Sequence, residues 1–223
     1  MESPSCDDNI SQEAIARARL QRDFLSTITS AMRKPKLLMK NMKRVENYLM
    51  NPFLDINFHI DGISPLEKAT SVWWVLDRLL QHKGIDLNLC NPDGRTGIFF
   101  AVECQKTDSL RLLINTGAQL DHRDNEGRTP LSLAAELGNL SHVRILVESN
   151  ADINSADSNG WTPLFWAASR QHLQTLKYLL SNQGVDSDHQ DVNGRTPLAI
   201  AAETGYVESI RCLIDTKAKR KAN

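Results

Sequence analysis

The sequence predicts an all-α repeat solenoid of helix–turn–helix units joined by β-hairpin fingers, on three observations. Five glycines, Gly62, Gly94, Gly127, Gly160 and Gly194, recur at spacings of 32, 33, 33 and 34 residues. Each is followed seven positions later by an alanine: Ala69, Ala101, Ala134, Ala167 and Ala201. Around them the text repeats as Gly127-Arg-Thr-Pro-Leu, Gly160-Trp-Thr-Pro-Leu and Gly194-Arg-Thr-Pro-Leu, with Gly62-Ile-Ser-Pro-Leu and Gly94-Arg-Thr-Gly-Ile as variants. A unit this short cannot bury its apolar face alone, so self-similarity at such a period signals stacked units sharing one continuous core.

Composition fits this reading. Of 223 residues, 41% are hydrophobic and 24% charged, the balance of a globular protein. No window approaches the roughly 20 apolar residues that span a bilayer. Glu2, Asp7 and Asp8 stand where a secretory leader would carry basic residues, so a cytoplasmic or nuclear location is expected. Cys6, Cys90, Cys104 and Cys212 are scattered without a C-x-x-C pair, and neither a disulfide framework nor a zinc site is expected. The net charge of -1 conceals a polarised chain. Residues 11–52 carry nine basic and three acidic side chains, residues 53–216 carry 13 and 21, and Lys217, Lys219, Arg220 and Lys221 close it.

Taken in order, residues 1–22 form an N-terminal segment, flexible or a capping helix, with helix-forming composition over Gln12–Leu25. Residues 23–57 form a divergent capping repeat whose last helix covers Arg44–Met50, because Asp55-Ile56-Asn57 echoes Asp86-Leu87-Asn88 and Asp152-Ile153-Asn154. Lys40, Lys43 and Arg44 supply the polar outer face that a terminal repeat needs. The array proper fills 58–223. Within each unit a turn forms at Asp93-Gly94, Glu126-Gly127, Asn159-Gly160 or Asn193-Gly194, where glycine permits positive φ. Ser64, Thr96, Thr129, Thr162 and Thr196 then stand as N-caps, with Pro65, Pro130, Pro163 and Pro197 as first helical residues. Leu66, Ile98, Leu131, Leu164 and Leu198 share the inner face of the first helix with the repeating alanines. Gly138 and Gly205, replaced by Gln105 and Gln171, break the chain before a second apolar helix. Gly84, Gly117, Gly184 and Asn150 are expected to end those second helices as left-handed caps.

These residues resemble the ankyrin repeat pattern, D-x-x-G-x-T-P-L-x-x-A-A-x-x-G followed by an apolar helix and G-A-D-x-N. The match covers about 165 residues from Asn57 onward and is nearly complete at 127–154. Two features depart from it. The histidine after T-P-L is replaced by Glu67, Phe99, Ser132, Phe165 and Ala199, and Gly97 stands for proline. The resemblance implies a concave face of fingertips and first helices that binds a partner protein or peptide. Carried onto this chain, its partner-binding positions include Arg95, Glu103, Asn125, Glu126, Arg128, Glu136, Asn159, Trp161, Arg170, Asn193, Arg195 and Glu203.

Within that set, Arg95 with Glu103, Arg128 with Glu136 and Arg195 with Glu203 repeat in identical register, and the unit carrying Trp161 and Arg170 interrupts them. Surface ion pairs of this kind contribute only about 0–1 kcal/mol each. Tryptophan and arginine dominate binding hot spots, so Trp161 reads as a contact residue. Trp73, Trp74, Phe99, Phe100, Phe165 and Trp166 fall inside helices as core, one of each neighbouring pair facing out. His59, His82, His142 and His172 are single and read as surface residues, and no H-E-x-x-H, P-loop or G-x-S-x-G is present. No catalytic residue, metal ligand or cofactor is expected. The reading is therefore a non-enzymatic, intrinsically monomeric adaptor for a partner protein or peptide, with neither membrane nor nucleic acid as partner. A small-molecule binder or enzyme using Phe99, Phe100, Trp161 and Trp166 beside Glu103 and Glu136 is the alternative. Leu146–Asn154 also resembles the targets of an asparagine hydroxylase acting on ankyrin proteins, and Lys217–Lys221 a weak nuclear-import signal.

Overall fold

The computed structural model describes residues 6–33 and 38–222. It opens with α1 (Cys6–Arg33) and α2 (Leu38–Leu49). Five antiparallel pairs follow: α3 (Pro65–Ala69) with α4 (Trp73–Leu80), α5 (Gly97–Glu103) with α6 (Thr107–Asn115), α7 (Pro130–Glu136) with α8 (Leu140–Glu148), α9 (Pro163–Ser169) with α10 (Leu173–Ser181), and α11 (Pro197–Glu203) with α12 (Val207–Ala222). First helices pack on first helices and second on second, in two parallel rows. The alanine period explains the close approach, since Ala69, Ala101, Ala134, Ala167 and Ala201 are all fully buried. Leu66, Ile98, Leu131 and Leu164 lie buried beside them, while Leu198, in the fifth pair, is half-buried.

At the N-terminal end α1 runs unbroken across position 22 and packs on α2 and α3. Phe24, Thr27, Ile28 and Ala31 point inward, Phe24 meeting Tyr48 at 5.5 Å between ring centroids, while residues 12–19 are exposed.

Capping follows the sequence in three units. The hydroxyls of Ser64, Thr129 and Thr196 accept from the amides of Glu67, Ser132 and Ala199 at 3.1, 3.2 and 3.3 Å. Thr96 and Thr162 have the extended backbone of a cap without its hydrogen bond, and their hydroxyls are buried without a partner. Gly97 starts α5 despite the missing proline, with the Leu66 side chain lying 3.2 Å from where its Cβ would be.

Two expectations are corrected. Gly117 and Asn150 take the left-handed cap conformation, but Gly84 and Gly184 do not. α10 ends earlier, at an extended Asn182 whose side chain donates to the Tyr178 carbonyl at 2.7 Å, so no left-handed residue is needed at Gly184. The fingers, moreover, are turns rather than two-stranded hairpins among the described residues, where one isolated bridge joins Ile60 and Ile63. Asp124 N–H donates to the Arg128 carbonyl at 2.9 Å, but the reciprocal amide of Arg128 donates to Asp124 Oδ1, also at 2.9 Å. The side chain takes the rung that would have extended a ladder, and Asn91, Asp157 and Asp191 repeat the arrangement. No described helix is long and apolar enough to cross a membrane.

Candidate partner-binding face

Three buried carboxylates organise the fingertips: Asp124, Asp157 and Asp191, each three residues before its turn glycine. In each, Oδ1 accepts the amides of the second and fourth residues onward, which fixes the turn and leaves Oδ2 for a side chain. Asp124 Oδ2 receives Arg128 Nε at 3.1 Å and Nη2 at 3.0 Å, with Arg95 Nε of the preceding unit at 3.4 Å. Asp191 Oδ2 receives Arg195 Nε at 2.9 Å and the Trp161 indole N–H at 3.3 Å. Asp157 has no arginine in these positions, and the Trp166 indole N–H donates to it at 3.1 Å. Burial alone would raise the Asp191 pKa. The amides of Arg195 and Asn193, the Arg195 guanidinium and the Trp161 indole more than reverse this, and it lies below the usual carboxylate range.

The arginine and glutamate register therefore forms a partly buried network reaching across units. Arg95 reaches Glu103 at 3.6 Å, Arg128 reaches Glu136 at 3.5 Å and Glu126 at 3.3 Å, and Arg195 reaches Glu203 at 3.2 Å. Arg170, at the interruption, turns back to Glu136 of the preceding unit at 2.8 Å. Trp161 is half-buried, its ring 5.8 Å from Phe165 and 4.8 Å from Trp166, and Arg170 lies 5.7 Å above Trp166. Trp161 thus takes the place of an arginine both in register and as donor to the buried aspartate.

Other expected site residues remain open to solvent. Glu103, Asn125, Glu126, Asn159, Arg170, Asn193 and Glu203 are exposed, whereas Arg95, Arg128, Glu136, Trp161 and Arg195 are half-buried and engaged. Asn125 braces the preceding finger, its amide donating to Asp93 O at 2.9 Å and its Nδ2 to Pro92 O at 2.8 Å. Of the aromatic pairs, Phe99 and Phe165 are fully buried while Phe100 and Trp166 are half-buried, and Trp73 is exposed beside a half-buried Trp74. The pocket aromatics are thus divided between the core and the surface.

Sequence reading missed the three aspartates as organisers, although the D-x-x-G spacing carried the signal. It also placed His142 at the surface. The ring is fully buried, with Nε2 3.1 Å from Thr107 Oγ1 of the preceding unit, because its position is inward-facing and is filled by Ser109, Thr175 and Ser209 in the other units. His172 is half-buried, Nε2 lying 2.8 Å from the Glu136 carbonyl. Glu67 is a third case. Burial pushes its pKa up to about 7, and Oε2 has no hydrogen-bond partner.

Stacked helix pairs with side-chain-locked turns define a repeat solenoid with a continuous row of fingertips. A family model described as ankyrin repeats (3 copies) matches residues 68–157 and again 150–223, and the chain belongs to the ankyrin repeat family. Ankyrin repeats generally mediate protein–protein interactions. None of the curated proteins compared with the chain matches it.

Proposed function

We propose that the protein is a non-catalytic adaptor of the cytoplasm or nucleus that grips a partner protein or peptide along its fingertips and first helices. The observation that carries this reading is the division of labour at each turn. Asp124, Asp157 and Asp191 lock the backbone from below, while Glu126, Asn159 and Asn193, each directly before its glycine, are exposed on top. A locked turn backbone loses little conformational entropy on binding while the exposed side chains make the contacts, which favours recognition over chemistry. Residues 1–22, with the unit at 23–57, close the N-terminal end of the array at 58–223, and the array acts as a monomer.

The test is affinity capture with the purified chain, followed by mass spectrometry, alongside the triple variant Glu126→Arg/Asn159→Arg/Asn193→Arg. A protein retained by the wild type and lost from the triple variant supports the assignment. A specific partner held equally by both would move binding off the fingertips.

A further inference from the structure

Charge is distributed unevenly around the array. The five turn segments (55–62, 86–95, 121–128, 152–161 and 186–195), together with the first-helix ends at Glu103, Glu136, Arg170 and Glu203, hold fifteen carboxylates against five arginines. The rest of residues 53–216 holds six carboxylates against eight basic side chains. The acidic surplus of residues 53–216 therefore lies in the turn segments and first-helix ends, where Asp124, Asp157 and Asp191 are buried and the other carboxylates face outward or line the surface. Four of its arginines, Arg95, Arg128, Arg170 and Arg195, are each already held by a carboxylate of the same face, so they offer little to an anionic ligand.

Two contacts within the protein show which chemistry this face accepts. Lys217, from the basic end of α12, seats its ammonium at 2.5 Å on the carboxylate of Asp188, in the segment that leads into the last turn. The guanidinium of Arg170 stands over the Trp166 ring at 5.7 Å. Carboxylate and indole face thus both receive cations here, and desolvated cation–π contacts strengthen such binding.

We infer that the partner segment is cationic: an extended stretch of chain presenting lysine or arginine side chains to the fingertips. This inference rests on the fingertip reading above and adds the partner's chemistry. Spacing sets a further condition. Neighbouring units stand about 10 Å apart, and an extended chain advances about 3.3 Å per residue. A basic side chain at every third position therefore keeps step with successive tips, beginning with Asp93 and Glu126, which occupy the same place in adjacent units. Asp93 and Glu126 are solvent-exposed, so recognition weakens as salt shortens the screening length, which is about 8 Å at physiological ionic strength.

The probe is a short fluorescein-labelled peptide with lysine at every third position and serine between, compared by anisotropy with its glutamate counterpart. The wild-type protein binds the lysine peptide, more weakly in high salt, and does not bind the glutamate peptide. Asp93→Lys/Glu126→Lys/Glu203→Lys lowers that affinity at least about tenfold, because like charges now meet at the docking face. Asp108→Lys/Glu148→Lys/Asp215→Lys changes the net charge equally on exposed second-helix positions and leaves affinity within about threefold. Equal losses in both variants reduce the effect to net charge and overturn the inference, as does absence of lysine-peptide binding. If affinity capture yields a partner that needs the fingertips but the lysine peptide fails, the cationic assignment falls while the fingertip reading stands.

Discussion

Arg128 holds Asp124 Oδ2 through two nitrogens, Nε at 3.1 Å and Nη2 at 3.0 Å, within a turn whose backbone the same carboxylate fixes through Oδ1. Its side chain is only 2% exposed, and both carboxylate oxygens are filled by donors, two backbone amides on Oδ1 and the Arg128 and Arg95 guanidinium groups on Oδ2. One residue therefore shapes the fingertip, orients the arginine and couples to the preceding unit through Arg95.

Asp124→Ala should destabilise the array by about 3 kcal/mol, because it strips several donors of one acceptor at once. Asp124→Asn keeps the Oδ1 acceptor for the two amides and should cost about 1 kcal/mol. Urea unfolding of both variants checks this, and equal losses would mean that the charge, not the turn, is what matters.

Trp161→Ala should lower stability as well as any binding, by about 2 kcal/mol for a half-buried indole, through lost stacking on Phe165 and Trp166 and a lost donor to Asp191. Trp161→Phe keeps the ring contacts and should lose about 1 kcal/mol, the worth of the hydrogen bond. A Trp161→Ala protein that unfolds at the wild-type urea midpoint would show that the indole carries no structural load.

Much of this fold was legible because the units repeat. The glycine and alanine periods mark stacked helix pairs whatever fills the other positions, and the structure buries all five alanines. What escaped depended on pairings between units. Nothing local distinguishes His142 from a surface histidine until Thr107 is placed opposite it. Likewise, the arginine register predicted pairs across each first helix, while the buried acceptors are Asp124 and Asp191, three residues before their turn glycines. Gly84 and Gly184 misled for the opposite reason, since they look like caps of helices that end before reaching them.

Gly138 and Gly205 hold equivalent left-handed turns, at φ +68° and +74°. A Cβ at Gly138 would fall 2.4 Å from the His172 ring, whereas at Gly205 it meets nothing within 4 Å. Gly205→Ala should therefore cost only the backbone strain, about 1 kcal/mol, a level that Gln105 and Gln171 already tolerate at the same turn. Gly138→Ala should cost at least about 1 kcal/mol more, because the ring must move off the Glu136 carbonyl. Thermal unfolding of the two variants side by side measures the difference.

Glu67 gives the protein a stability term that declines with rising pH. Burial, with Glu103 and Asp93 nearby, lifts its pKa to about 7, against an unfolded value near 4.3. Between these values the native state holds a proton that the unfolded state has released, so stability falls as pH rises through the window. Glu67→Gln should be more stable than wild type by about 1–2 kcal/mol at pH 8, allowing for the half-exposed side chain, and nearly equal to it at pH 4. Urea titrations at both pH values check this, and a difference independent of pH would rule out the carboxylate.

His142 acts in the opposite direction. Burial lowers its pKa below the ordinary histidine value, and Nδ1 has no partner to share a second proton. Its folded pKa is depressed, so its contribution is fully present above the unfolded value near 6.5 and is lost as pH falls below it, when the unfolded chain takes up protons first. Thr175 fills the same position two helices on, which makes His142→Thr the matched replacement. That variant should lose about 1–2 kcal/mol at pH 7.5 from the vacated ring volume. The gap between it and wild type should then narrow as pH falls to 5, because only the wild type pays for a buried imidazole that resists protonation. Unfolding free energies of the two proteins at both pH values decide it, and a gap that stays constant would place the titration elsewhere in the chain.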